Sequence, residues 1–132
     1  MVYDTSYVDG DFRFMRDERL KKRVDISAVF KKGKCVSCQG AKFFILQNRL
    51  ERNRIAFTFA RKFGNAVERN RSRRISREAY RRLKSETRQG FDLVLLVYPV
   101  SDISVGERMK QLTSLFKKGN IQKIGSFESI YR

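Results

Sequence analysis

The chain contains no histidine, only two cysteines and a single proline, and its 14 acidic residues are outnumbered by 30 basic ones. Each shortage narrows what it can do. Without histidine, no side chain titrates near neutrality in its ordinary state. The carboxylates Asp25, Glu51, Glu68, Glu78, Glu86, Asp92, Asp102 and Glu107 stand singly, not in the groupings a two-metal hydrolytic site uses. Two cysteines cannot complete a zinc site of about four ligands. Cys35 and Cys38 form a CVSC motif, but on an extended segment they point to opposite faces, which leaves them as reduced structural thiols. No apolar run approaches the roughly 18 residues that span a bilayer, and the first residues lack a basic-then-apolar signal pattern. A cytoplasmic protein is expected. There is no Gly-rich phosphate loop, internal repeat or low-complexity tract. No catalytic residue, bound metal or bound cofactor is therefore expected in this chain, which is equipped for binding.

What is present is charge over a real core. The 132 residues suit one domain, and at 41% hydrophobic they are too apolar for a disordered tail. A formal charge of +16 exceeds what solubility requires and points to a polyanion, with a nucleic acid favoured over a membrane surface. The isoelectric point near 10.5 says the same.

The charge concentrates in residues 64–88, GNAVERNRSRRISREAYRRLKSETR. Asn65 can cap a helix and Glu68, three residues on, can close a capping box, while Gly64 permits the turn before it. No Gly or Pro follows until Gly90, so a helix to Arg88 is expected. At about 100° per residue, one face carries Ser72, Ile75, Ser76, Ala79, Tyr80 and Leu83, suited to lie on a sheet. The opposite face carries Asn70, Arg73, Arg74, Arg77, Arg81, Lys84 and Arg88. A charged face usually means only a solvated helix. Here Glu78 and Glu86 supply few opposite partners, and the repulsion favours a polyanion that neutralises it.

The remaining elements follow from pattern. Residues 1–18 mix acids and aromatics without period and are expected to form an irregular N-terminal arm, able to fold over a basic groove. A short helix begins at Val24 or Asp25, carries Ile26, Val29 and Phe30 on one face, and ends at Gly33. Strands are expected over 35–37, 42–47 and 54–60, with 48–53 as a polar hairpin loop. In the third strand Ile55, Phe57 and Phe59 face a core, while Ala56, Thr58 and Ala60 face away. In the second, Phe43 and Ile45 join the core, and Lys42, Phe44 and Leu46 join the outer side. Residues 91–99 read as a strand buried on both faces, ended by Pro99. Ser104 or Ser101 caps a last helix to about Lys117, with Met109, Leu112, Leu115 and Phe116 as its apolar stripe. Residues 119–132 read as a partly ordered tail, which leaves 19–118 as the domain. The class is α+β, in the order α-β-β-β-α-β-α.

Two binding surfaces result. The outer face of the basic helix, with Arg69 and Arg71 at its start, suits phosphate contacts. The groove between the first helix and the sheet offers Phe30 and Phe44, flanked by Lys31, Lys42, Arg61 and Lys62. Those two rings can stack on unpaired bases or can simply pack in the core.

Residues 59–80, FARKFGNAVERNRSRRISREAY, resemble the protein subunit of bacterial ribonuclease P. The motif consists of Arg61-Lys62, then Gly64-Asn65-Ala66-Val67, then Arg69-Asn70-Arg71, with Arg73, Arg74 and Arg77 at helical spacing. A looser likeness runs from Arg19 to Lys117. The resemblance implies a small four-stranded sheet with a left-handed crossover through the basic helix. It implies a partner RNA that, with Mg2+, removes the 5′ leader of precursor tRNA, with no obligate protein partner. It also implies roles: Arg69, Asn70, Arg71, Arg73, Arg74 and Arg77 on the RNA subunit, and Ile26, Phe30, Lys42, Phe44 and Leu46 around the leader. The helix face itself adds Arg81 to the first set, and the strand alternation and basic flanks add Lys31, Thr58, Arg61 and Lys62 to the second. Leu46 stands where the family often has an aromatic, Ala56 where it often has Gly, and Val97-Tyr98 where it often has a basic residue. A ribosomal-type RNA-binding protein or a charge-driven DNA or membrane binder would leave the Arg-Asn-Arg triplet beside the GNAV turn unexplained.

Overall fold

The computed structural model describes residues 18–99 and 103–123. The arm before Glu18, Ser101 and the tail after Lys123 lie outside them. The elements are α1 (Arg23–Lys32), β1 (Lys34–Cys38), β2 (Ala41–Gln47), β3 (Arg54–Phe59), α2 (Ala66–Leu83), β4 (Phe91–Val97) and α3 (Val105–Lys118). No helix among the described residues is long and apolar enough to cross a membrane.

The four strands form one mixed sheet in the order β1-β2-β4-β3. This corrects the hairpin expected over 48–53, because β2 and β3 are not neighbours. β4 enters between them, antiparallel to β2 and parallel to β3, with α2 as the crossover. Its central position explains why its sequence lacks polar alternation. The true hairpin joins β1 to β2, where Cys38 pairs with Ala41 and Gly40 takes a φ of 93° that few other residues tolerate.

The segment 48–53 instead bridges two non-adjacent strands and is tied down by Asn53. This residue is buried, its Nδ2 donates to Thr87 Oγ1 (3.1 Å) and to the Arg88 carbonyl (2.9 Å), and its Oδ1 accepts from Phe91 N–H (2.8 Å). The same knot ends α2 early. The helix stops at Leu83 and tightens into a 3-10 turn over Lys84–Glu86, short of Arg88 and before Gly90 can act. Thr87 closes it, donating from its hydroxyl to the Lys84 carbonyl at 2.7 Å. The chain then pairs with the segment after α3: Arg88 N–H donates to the Ile121 carbonyl and Lys123 N–H to that of Glu86. Ile121 is buried in the main core.

That core lies between one face of the sheet and α2 with α3. Phe43, Ile45, Ile55, Phe57, Leu93 and Leu95 meet Ala79, Tyr80, Leu83, Leu112, Leu115 and Phe116. Among the described residues, the opposite face is covered only by α1 and the entering chain. Leu20, Val29, Ala56 and Val94 form a small second core there, with Ile26, Phe44 and Leu46 partly buried against it. Gly33 lets α1 lie this close, since a Cβ there would come within 2.4 Å of the Val29 carbonyl oxygen and 3.0 Å of that of Ile45. One ten-residue helix cannot cover a four-stranded sheet, so the described residues leave part of that face open.

Candidate nucleic-acid interface

The basic helix starts where the sequence marks it. Asn65 Oδ1 accepts from Glu68 N–H at 2.9 Å, and Glu68 Oε1 accepts from Asn65 N–H at 3.0 Å, a complete capping box. Gly64 takes a φ of 152° directly before it. This rigid start projects Arg69, Asn70, Arg71 and Arg74, all exposed, into solvent. Asn70 has a local task as well: its Oδ1 accepts from Arg73 Nη1 at 2.8 Å, one turn on. Arg73 is half-buried, its guanidinium 5.0 Å from the centroid of the Phe59 ring, which itself packs on Phe63 at 4.8 Å. Phe59 is thereby partly buried and serves as the platform for an arginine.

Two arginines of the expected outer face are placed otherwise. Arg77 is buried at 3% exposure. It lies on the stripe that leads, seven residues on, to Lys84, and Lys84 Nζ meets Glu18 Oε1 of the entering chain at 2.9 Å. The chain that enters along β3 thus meets this side at Lys84, a contact that periodicity within α2 cannot reveal. Arg81 is half-buried and turned onto Glu78 through a paired contact of 2.9 and 2.5 Å, and Arg82 Nε reaches the same carboxylate at 2.7 Å. Arg82 is exposed and was absent from the sequence-derived set.

The hydrogen bond from Arg81 holds the Glu78 carboxyl below its ordinary range, burial opposes this, and the bond from Arg82 adds to it. A depressed carboxylate stabilises the fold above its unfolded-state value, and the contribution is lost as pH falls through the folded one. Glu78→Gln is therefore expected to unfold at lower urea concentration than the parent at pH 7. Urea titrations at stepped pH should show the gap closing in acid, below the ordinary carboxylate range.

The second surface is read from strand register. On the face under α1, one row crosses the sheet as Cys35, Phe44, Val94 and Ala56, and the next as Ser37, Lys42, Leu96 and Thr58. Phe30 of α1 stands edge-on to Phe44 with ring centroids 4.8 Å apart and is 40% exposed, so this pair lines a surface and does not fill a core. Ile26 and Leu46 are half-buried beside it, and Lys31 and Lys42 are exposed. α1 lies over β2 and β4, which leaves Thr58 on β3 accessible at the far side. Thr58 donates its hydroxyl to the Leu95 carbonyl at 3.0 Å, so its oxygen offers a ligand only lone pairs. Arg61 and Lys62 follow in the turn after β3, both exposed. Lys42 and Thr58 lie two strand spacings apart, about 10 Å.

The third row holds residues that sequence reading passed over. Leu46, Asp92 and Arg54 align, and Arg54 grips the buried Asp92 with Nε to Oδ1 at 2.8 Å and Nη2 to Oδ2 at 2.7 Å. The hydrogen bond to Asp92 raises the Arg54 pKa above its ordinary value, more than partial burial lowers it. Asn48 Nδ2 adds a bond to Asp92 Oδ1 at 2.9 Å, and Arg54 Nη1 reaches Asp25 of α1 at 3.7 Å. This network fixes the closed end of the groove. The signal was available, since one acid inside FDLVLLV requires a buried partner.

The carboxylates nearest both surfaces are thus committed: Glu68 to a cap, Glu78 and Asp92 to arginines. Among the described residues no three His, Cys, Asp or Glu side chains gather. What the two surfaces present is cationic forks, two accessible rings and a basic rim. Cys35 and Cys38 lie on opposite faces of β1, both as free thiols.

The family model described as Ribonuclease P matches residues 14–120. The chain belongs to the ribonuclease P protein family. It is 33% identical over 103 residues to the ribonuclease P protein component of Natranaerobius thermophilus, covering 77% of this chain and 90% of that one. The component of Bacillus cereus is 33% identical over 111 residues, covering 83% and 96%. Among solved structures, the ribonuclease P protein of Thermotoga maritima superposes with a TM-score of 0.68 at 30% identity, covering 76% of this chain and 96% of that one. The Staphylococcus aureus protein gives 0.71 at 25% identity, covering 80% and 98%. Membership places the chain in tRNA processing, as a protein component of a ribonucleoprotein.

Proposed function

We propose that this protein binds the ribonuclease P RNA through the exposed start of α2 and holds the single-stranded 5′ leader of precursor tRNA in the groove beside α1. In this reading the RNA subunit, with the Mg2+ that its reaction requires, performs the endonucleolytic cut. The protein supplies no catalytic group. Arg69, Asn70, Arg71 and Arg74 face the RNA, Asn70 and Phe59 orient Arg73, and Arg77 and Arg81 support the helix from within. Ile26, Phe30, Phe44, Leu46 and Thr58 line the leader site, with Lys31, Lys42, Arg61 and Lys62 as its phosphate rim.

The observation that carries this reading is the conjunction of two different surfaces on one rigid scaffold. A capped helix projecting exposed arginine forks suits a folded polyanion, while an open sheet face with rings and lysines suits an unpaired strand. A ribosomal-type RNA-binding protein would use the first surface and has no need of the second.

Reconstitution tests it. The protein, its cognate RNA and a precursor tRNA at low, near-physiological Mg2+ should release the leader when mixed, whereas the protein alone should not. A mixture that binds RNA tightly yet leaves precursor uncut would overturn the reading. Phe30→Ala should weaken binding of leader-bearing precursor by about 1–3 kcal/mol, the usual value of one base-aromatic stack. It should leave the affinity for leaderless tRNA and for the RNA subunit unchanged.

A further inference from the structure

The largest fully buried side chain among the described residues is an arginine. Arg108, in the first turn of α3, has no measurable exposure. It occupies the inward stripe one turn before Leu112, where an apolar residue would extend the core. Its Nη1 donates to Gln111 Oε1 at 2.8 Å and its Nη2 reaches Ser72 Oγ of α2 at 3.5 Å. Its Nε is buried without a hydrogen-bond partner. Among the described residues no carboxylate lies within ion-pair distance of it, and the nearby titratable group is the Cys38 thiol.

Each of these features is unfavourable for the isolated protein. A buried cation without a counter-charge is costly, and the first turn of a helix repels positive charge. Burial lowers the Arg108 pKa to about 10, so the group remains a cation at neutral pH. A fold that kept only the packing would use methionine or leucine here. The contact with Ser72 sets the guanidinium against α2. Ser72 sits between Arg71 and Arg73, inside the segment that projects the exposed arginines.

We infer that Arg108 is a buried charge of the RNA interface: lying against Ser72 of the Arg69–Arg74 turn of α2, it adds its uncompensated charge to the field that this turn presents to RNA phosphates. Phosphates docked on the outer side of α2 supply the missing counter-charge across roughly one helix diameter, about 10 Å. At an effective dielectric near 20 that interaction corresponds to about a tenfold change in affinity. The inference rests on the reading that α2 meets the RNA subunit.

The test compares Arg108→Met, Arg108→Lys and Arg74→Ala in the full chain, by binding to the ribonuclease P RNA over a salt series and by urea unfolding. Arg108→Met should unfold at the same or higher urea concentration than the parent. It should bind RNA about tenfold more weakly at low salt, with the gap narrowing as salt rises. Arg108→Lys, which keeps the charge, should stay near the parent at every salt concentration. Parent-like RNA binding by Arg108→Met, or a loss equal at all salt concentrations, overturns the inference. If Arg108→Met fails to fold, Arg108→Lys decides: retained affinity with the parental salt slope supports it, and a folded variant that loses affinity overturns it. Arg74→Ala separates the two layers, since no loss there means that the α2 reading itself has failed.

Discussion

Replacing Arg69, Arg71 and Arg74 together by alanine is expected to reduce affinity for the ribonuclease P RNA by at least two orders of magnitude while leaving the fold intact. All three are exposed on the first turns of α2, and none contributes to either core. Each engaged arginine is worth about 1–3 kcal/mol when its geometry is good, so three approach the largest effect that surface substitutions here can have. Charge and contact can be told apart. Loss of three phosphate contacts should flatten the dependence of log K on log salt by roughly two to three units. The same arginines replaced by lysine should keep most of that slope but lose affinity, because an ammonium cannot grip a phosphate with two parallel bonds. Filter binding or fluorescence anisotropy at several salt concentrations measures both quantities. A triple-alanine variant that binds as the parent does would place the RNA elsewhere on the protein.

Asp92→Ala is expected to give the largest loss of stability among the site residues, about 2–4 kcal/mol in urea unfolding. Asp92 is buried in the central strand and accepts from Arg54 twice and from Asn48 once. Removing it strands a guanidinium, which costs about 3–5 kcal/mol for a fully buried pair. Arg54 keeps 23% side-chain exposure, so water recovers part of that. The functional consequence should exceed the thermodynamic one. Arg54 also reaches Asp25 at 3.7 Å, and that contact helps hold α1 against the sheet. With Arg54 released, the wall of the groove carrying Phe30 loses its anchor, and leader affinity should fall even in the fraction that remains folded. Asp92→Asn, which retains an acceptor oxygen, should fall between the two. An Asp92→Ala variant with parental stability would show that the Arg54 network is not what secures the closed end of the groove.

The legible parts of the site share one property: they are local. The capping box at Asn65 and Glu68, the α3 cap at Ser104 and Glu107, and the alternation of Ile55 with Ala56 all follow from neighbours within four residues. The assignment of Lys42, Phe44 and Leu46 to the outer face holds for the same reason, since a strand turns its side chains over every residue. The illegible parts depend on segments far apart in the chain. Arg77 has the composition and spacing of an exposed residue, yet it is buried on the side of α2 that the chain before α1 approaches. The end of α2 is set by Thr87 and by the return of Ile121, more than 30 residues later, so neither helix propensity nor Gly90 could locate it.

The element order, the two-sided chemistry of α2's start, the split of each strand into core and outer residues, and the family all follow from the residues read in line. Helical and strand periods and cap geometry are properties of short windows, and a family motif is contiguous. The place of β4 between β2 and β3, the pairing of Asp92 with Arg54 at one end of the groove, and the burial of Arg108 against α2 emerge only in the folded chain. Those outcomes depend on which segments meet after collapse. Asp92 is tolerated in the interior because Arg54 reaches it from a distant part of the chain.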